Sequence, residues 1–317
     1  MNDLMWGHPA TRANAERLAG HGYRLVGPAE GALAYGEGSG PGRMEEPPVI
    51  VQHIGRALEG ASRYAGRRVV VTAGPTREGV DPVRFLSNRS SGRMGFALAA
   101  AAWRRGADVD LIAGPTSIEA PAGPRLHRVE TTEEMKRVVQ RAIADADLLI
   151  MAAAPADFRP KAPASSKIRK EARPEAIALD GAPDILKETR GDRPPRCVVV
   201  GFALETDEGE ASARKKLDAK GLDLVVLNRT GSDSGFETDT NRVVLLRDLN
   251  HAIEESFFTG GHGFHLEGRK FLDAPPVPRA CPAANAVAAW GSRLCAPSST
   301  CMGAPSASKS AIHAATA

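Results

Sequence analysis

Arg77, Asp81, Arg84, Asn88 and Arg89 fall inside one short stretch, TAGPTREGVDPVRFLSNRSSGRMG, over residues 72–95. Val69, Val70 and Val71 precede it, a β-branched run that stops at Gly74 and Pro75 and reads as a buried strand ending in a tight turn. Met94 to Arg105 follows, a run of good helix formers behind Ser90, Ser91 and Gly92, where hydroxyls can cap the first N–H groups. Strand, glycine turn, polar loop and helix make the front of a nucleotide-handling α/β unit. In open α/β sheets ligands bind outside the carboxyl ends of the strands, and a helix N-terminus there favours an anion. Gly92 and Gly95 with Ala97 and Ala99 also fit a plainer role, as the small face that lets a helix pack on a sheet.

The elements that position this stretch alternate strand and helix. Asp108 to Ala113 (DVDLIA) is a strand ending in a second Gly-Pro-Thr at 114–116, an echo of 74–76 that places two strand ends on one edge of a sheet. Thr132 to Ala144 is a helix with Met135, Val138, Val139 and Ile143 on one face. Asp147 to Ala153 is the next buried strand and opens into AAAPADFRPKAPASSKIRK. Cys197 to Phe202 is another, followed by a helix over about Glu208 to Lys220 and by strands at Leu222 to Leu227 and Arg242 to Leu246. No hairpin signal appears until late. The fold class expected is α/β, a Rossmann-like, mostly parallel sheet with helices on both faces.

Outside that domain, set at 67–250 behind a linker at 59–66, both ends differ in character. In residues 1–58, Thr11 to Ala19 reads as helix, Tyr23 to Val26 as a short strand, Gly36 to Pro48 as a loop and Val49 to Leu58 as a short helix. Such a segment is too small to bury much core alone. Residues 251–317, rich in Ala, Ser, Gly and Pro, read as a disordered tail, or as the product of a frame error or gene-model artefact.

Composition excludes several classes. The 317 residues carry a net charge of only +3, too little to argue for nucleic acid. No apolar run approaches the ~18 residues of a membrane helix. The N-terminus lacks the apolar core of an export signal, and the four cysteines form neither a disulfide framework nor a zinc pair, so a cytoplasmic location is expected. The eight histidines show no metal-ligand spacing.

The run from Thr72 to Gly95 resembles, almost residue for residue, the phosphopantothenate–cysteine ligase half of the bacterial bifunctional enzyme that also decarboxylates phosphopantothenoylcysteine in coenzyme A synthesis. MNDLMW, HPAT and GEGSGPGRMEEP, all within residues 1–58, resemble the C-terminal end of that family's flavin-dependent decarboxylase half. The family's asparagine of the MNxxMW motif falls on Asn2. Tyr35 stands where the family usually has a cysteine, and a phenol is a poor substitute for a thiol in protonating the enethiol intermediate. No decarboxylase activity is therefore expected, and FMN would matter only with a separate decarboxylase half.

The resemblance implies that the 4′-phosphopantothenate carboxylate attacks the α-phosphate of CTP, releasing pyrophosphate, and that the amino group of cysteine then displaces CMP from the acyl-cytidylate. Charge on phosphoryl and acyl oxygens would be met by donors, lysines and Mg2+. Lys167, in SSKIRK, matches a family lysine, with Arg169 in place of another. Met151, Ala153, Asp157, the PDIL turn (Pro183, Asp184, Ile185, Leu186), Phe202, Lys216 and Lys220 match the nucleotide pocket. Ala182 replaces the asparagine usual before that turn. Asn88 matches the asparagine associated with the acyl intermediate, Arg84 the arginine for the phosphopantothenate end, and Gly74 lies on the substrate side. Asn228 is kept in a downstream loop where Arg229 departs from the pattern.

Each residue has a plainer alternative: a solvated basic loop for Lys167, an exposed lysine pair for Lys216 and Lys220, a core phenylalanine for Phe202, a turn asparagine for Asn88. The resemblance further implies a homodimer, with no nucleic acid or membrane partner. Two other functions stay open at this point: a flavoprotein decarboxylase subunit, and a nucleotide-binding remnant without catalysis.

Overall fold

The computed structural model describes residues 1–36, 38–170, 175–205, 209–229, 241–247 and 264–265, all within one compact unit, Met1–Leu272. Except for Phe264–His265, the segment expected as a tail lies outside the described residues.

Short helices α1 (Asp3–Gly7) and α2 (Pro9–Gly20) lead into the antiparallel pair β1 (Ala29–Ala32) and β2 (Ser39–Arg43). Asn2 caps α1, its Oδ1 accepting from the Met5 N–H at 2.9 Å. Two expectations fail here. Tyr23 to Val26 forms no strand; Tyr23 and Leu25 are exposed, so no buried face drives pairing. The expected loop at Gly36 to Pro48 contains β2 instead, because its glycines let α1 approach: a Cβ on Gly42 would stand 2.3 Å from the Met1 carbonyl oxygen.

Helix α3 (Pro47–Glu59) follows. It is knit to the main sheet's helical layer through Trp103: the Arg56 guanidinium lies 4.6 Å over the Trp103 ring and donates to the carbonyls of Trp103 and Ala107.

The chain continues through β3 (Arg68–Ala73), a small separate hairpin β4 (Arg77–Gly79) and β5 (Phe85–Ser87), α4 (Arg93–Arg104), β6 (Asp108–Ala113), β7 (Arg125–Arg128), α5 (Thr132–Ile143) and β8 (Leu148–Met151). A second small hairpin follows, β9 (Phe158–Pro160) with β10 (Leu179–Gly181), then α6 (Ile185–Glu188), β11 (Val198–Glu205), α7 (Gly209–Lys220), β12 (Leu224–Arg229), β13 (Asn241–Arg247) and β14 (Phe264–His265).

Among the described residues the large sheet runs β14-β13-β12-β11-β8-β3-β6-β7. All its pairs are parallel except β12 with β13, so the expected mostly parallel α/β sheet is what the chain forms. Strands buried on both faces should be apolar throughout. Along β3, Val70 faces one core with α5, α6 and α7, while Val69 and Val71 face another with α4.

Helix α4 departs from expectation at its start. Its N-cap is Gly92 in a left-handed conformation (φ 78°), and the hydroxyl cap reduces to a 3.5 Å approach of the Arg93 N–H to Ser91 Oγ. Position 92 is committed to packing: a Cβ there would stand 3.0 Å from the Thr116 methyl and 3.2 Å from Gly74. One turn on, Gly95 rests on β3, where a Cβ would stand 2.6 Å from the Ala73 Cβ and 2.8 Å from the Thr72 carbonyl oxygen.

The edge strand β7 is fastened by a buried carboxylate on its neighbour. Asp110 of β6 accepts from Arg125 Nε and Nη2, both at 3.0 Å, and lies 2.8 Å from His127 Nε2. Burial pushes the Asp110 carboxyl up, but Arg125 and His127 outweigh it and hold it below the usual 3.8. A carboxyl depressed in the folded state contributes stability that is complete above its unfolded value and lost as pH falls through the folded one.

Two outcomes follow from this packing. Gly95→Ala forces α4 off β3 and is expected to destabilise the fold by about 1–3 kcal/mol in urea denaturation, with the helix content of the folded state unchanged. Asp110→Asn is expected to be less stable than the parent at neutral pH, with the difference shrinking as pH drops below about 3.8; a pH-independent difference would remove the carboxylate's charge from the account.

Candidate functional site

Strand order reverses at β3. From β3 the chain steps outward to β6 and β7, then returns to the other side of β3 as β8 and continues through β11 and β12. The carboxyl ends of β3 and β8 flank that reversal, and their junction is the crevice position where such sheets take ligands. Its floor is backbone. Ala154 N–H donates to the Gly74 carbonyl at 2.9 Å, Gly114 N–H to the Ala73 carbonyl at 2.9 Å, and Pro75 and Ala154 form a parallel bridge. The two Gly-Pro-Thr turns thus end on one edge of the sheet, as their echo suggested, and they also touch: a Cβ on Gly114 would overlap the Pro75 carbonyl.

Gly74, Asn88, Met151 and Ala153 meet at this crevice. Asn88, exposed at the end of β5, donates its carboxamide N–H groups to the Pro155 carbonyl at 2.9 Å and the Ala154 carbonyl at 3.4 Å. Thr72 Oγ1 donates to Met151 Sδ at 3.4 Å and accepts from Ala153 N–H at 3.1 Å. Beneath lies a buried network the sequence did not disclose. Thr76 Oγ1 accepts from Ala156 N–H and meets Thr132 Oγ1, both at 2.8 Å, while buried Glu78 accepts from the N–H of Thr132 at the start of α5, also at 2.8 Å.

The loop between β4 and β5 carries the second group. Asp81 is a turn former: its Oδ1 accepts from the N–H groups of Val83 and Arg84, both at 2.8 Å. Its Oδ2 accepts from Arg84 Nη1 and from Ile168 N–H, each at 3.1 Å, and Arg84 Nη2 donates to the Ile168 carbonyl at 3.2 Å. Burial pushes the Asp81 carboxyl up; the backbone N–H donors and the Arg84 guanidinium outweigh it and hold the group below its usual value. Lys167 and Arg169 flank Ile168 and are exposed. Arg77 lies 4.5 Å over the Phe85 ring on the same hairpin.

The third group surrounds α6 and α7. Asp184 caps α6, accepting from Lys187 N–H at 3.2 Å, and pairs with Lys220 at 3.1 Å. Lys216 donates to the Phe202 carbonyl, and Ile185 and Leu186 are buried in the core. Pro183 leads into the cap, and Ala182 N–H donates to the Asp157 carbonyl at 2.9 Å, which joins this turn to the β8 exit loop; the Asp157 side chain is exposed. Arg193, with no sequence signal, fixes the group: it donates to the carbonyls of Leu186, Lys220 and Gly221. Asn228 ends in β12 with its carboxamide oxygen buried and without a hydrogen-bond partner among the described residues.

Among the described residues no group of three or more His, Cys, Asp and Glu side chains could hold a metal ion, so the residues present do not fit a protein-built Mg2+ cage. A groove of about 700 Å³ lies elsewhere, along α5 between Arg128, Arg137, Arg141 and Asp192, and holds none of the expected site residues.

The chain matches the family described as DNA/pantothenate metabolism flavoprotein C-terminal domain over residues 64–256. It is 42% identical over 277 residues to the coenzyme A biosynthesis bifunctional protein CoaBC of Bacillus subtilis (strain 168), covering 86% of this chain and 65% of that one. To CoaBC of Mycolicibacterium smegmatis it is 41% identical over 256 residues, covering 76% and 62%. The chain thus spans just under two thirds of the length of these curated relatives. A crystal structure of the C-terminal domain of CoaBC is similar at 38% identity and a TM-score of 0.49, over 58% of this chain and 82% of that one. With 64–256 covering β3 through β13 and every candidate site residue, this chain belongs to the DNA/pantothenate metabolism flavoprotein C-terminal domain family.

Proposed function

We infer that this chain is a CTP-dependent phosphopantothenate–cysteine ligase of coenzyme A synthesis. The observation that carries the reading is the junction of the β3 and β8 ends at the strand-order reversal, where Asn88 reaches across to the carbonyls of Ala154 and Pro155, within a family whose relatives are named for coenzyme A biosynthesis. A carboxylate does not condense with an amine in water, because its oxygen is a poor leaving group. Transfer to the α-phosphorus of CTP converts that oxygen into part of a nucleotide leaving group, with pyrophosphate expelled. The amino group of cysteine then attacks the acyl carbon, losing a proton as CMP departs.

The chain's own residues supply fixed donors and charge. Lys167, Lys216 and Lys220 neutralise the triphosphate as point charges, and Asp157 accepts from base or ribose. Lys220 gives up a half-buried pair with Asp184 to do so, a loss of about 1 kcal/mol. Asn88 releases its long 3.4 Å bond to the Ala154 carbonyl to donate to the acyl oxygen during the second step, and Arg84 faces the phosphopantothenate. No step is assigned to a protein-held Mg2+, which commonly enters on phosphates with few protein ligands. Decarboxylation is not proposed for this chain: Tyr35, fully exposed between β1 and β2, offers a phenol where a thiol is needed.

The test is one assay with CTP, Mg2+, 4′-phosphopantothenate and cysteine, following pyrophosphate and CMP separately. Both products are expected, CMP only with cysteine present; CTP bound without pyrophosphate release would favour a non-catalytic remnant. Asn88→Ala is expected to release pyrophosphate but stall before CMP. Lys167→Ala is expected to slow the first step about 100-fold; unchanged cytidylate formation would reduce the SSKIRK segment to surface.

A further inference from the structure

The exposed side chains of Lys167 and Arg169 stand on a segment, 161–169, with neither helix nor strand of its own. Something else must fix it. Both the N–H and the carbonyl of Ile168 are gripped from a turn more than 80 positions earlier, the N–H by Asp81 Oδ2 and the carbonyl by Arg84 Nη2. A further bond from Ala164 N–H to the Val80 carbonyl, 2.9 Å, lies beside them. The Asp81 side chain has no exposed surface, and its four acceptor contacts are all to donors. An ionised carboxylate suits that set because it accepts at every lone pair and donates at none. A carboxamide cannot replace it, since its NH2 would confront either the Ile168 N–H or the paired Val83 and Arg84 N–H groups.

We propose that Asp81 is a positioning residue of the ligase, setting through the Ile168 peptide where the Lys167 ammonium stands relative to Arg84 and Asn88. The nucleotide side and the acyl side of the crevice are then held in register by one buried carboxylate. This rests on the ligase reading. It differs from a general structural role in one respect: the part of its effect that runs through Lys167 disappears when Lys167 is gone, leaving only the smaller part that runs through Arg84.

The experiment measures kcat/KM for pyrophosphate release, CTP affinity by calorimetry and amide exchange of the 161–169 segment, in the parent, Asp81→Asn, Lys167→Ala and the double variant. Asp81→Asn is expected to speed exchange of that segment and to lower kcat/KM at least about tenfold, whereas in the Lys167→Ala background it costs less than about threefold. Losses that multiply, or unchanged exchange, overturn the proposal. Should Asp81→Asn fail to fold, Ile168→Pro deletes the N–H that meets Asp81 Oδ2, while also fixing φ at 168 and restricting the backbone of Lys167. It is expected to show the same non-additivity with Lys167→Ala, while Ile168→Ala stays near the parent; an active Ile168→Pro overturns the proposal. A parent that binds CTP but releases no pyrophosphate defeats the ligase reading by itself. The clamp is then upheld if Asp81→Asn weakens CTP binding about tenfold with faster exchange, and overturned if affinity is unchanged.

Discussion

Backbone hydrogen bonding at the end of β3 is the constraint from which the rest of the molecule follows. There the Gly74 carbonyl receives Ala154 N–H and the Ala73 carbonyl receives Gly114 N–H, so one strand end binds its neighbours on both sides. Three chain segments can meet so closely only if side chains are absent, and Gly74 (φ 75°), Gly92 and Gly114 meet that demand. Thr116 fills the remaining space with a methyl group. The crevice thus has a rigid floor made of peptide groups, while the groups that vary in charge and reach stand on the loops above it.

Those loops carry many charges, yet in the protein as it stands several are already answered from within. Arg84 leans on Asp81, Lys220 on Asp184, Lys216 on the Phe202 carbonyl. Of these, the partly exposed Lys220–Asp184 pair contributes little to stability and is exchanged cheaply for a ligand's phosphate. Buried ones are different: Asp81, Asp110 and Glu78 hold backbone or guanidinium donors away from water, and breaking them leaves unpaired groups. The division between exchangeable surface ions and committed buried carboxylates separates what binds from what positions.

How much of this was legible in the sequence follows the same division. Val69–Val71, Leu148–Met151 and Leu224–Leu227 lie between helical layers and must be apolar on both sides, so they announce themselves as strands. The hairpins β4–β5 and β9–β10 do not, because three-residue strands of mixed and mostly exposed side chains are set by tertiary bonds such as Arg77 N–H to the Glu130 carbonyl. Among site residues, Gly74 and Asn88 could be placed from the strand-end rule, while Lys167, Lys216 and Lys220 needed the family resemblance to rise above an ordinary basic surface. Asp81 followed by Pro82 signals a turn, but not that its second oxygen reaches Ile168. Arg193 left no trace: nothing local distinguishes it within GDRPPR.

The reversal at β3 also has a consequence for how the chain reaches its folded state. Pairing β3 with β6 joins Val69 to Val109 around the β4–β5 hairpin and one helix, whereas pairing β3 with β8 joins Val69 to Leu148 and closes a loop about twice as long. Loop closure grows costlier with length and slows long-range pairing, so the β3–β6–β7 half can assemble before the seam to β8 is sealed. The crevice lies on that seam. A partly folded chain therefore lacks the candidate site, and any ligand bound at the finished seam would draw the folding equilibrium toward its closure.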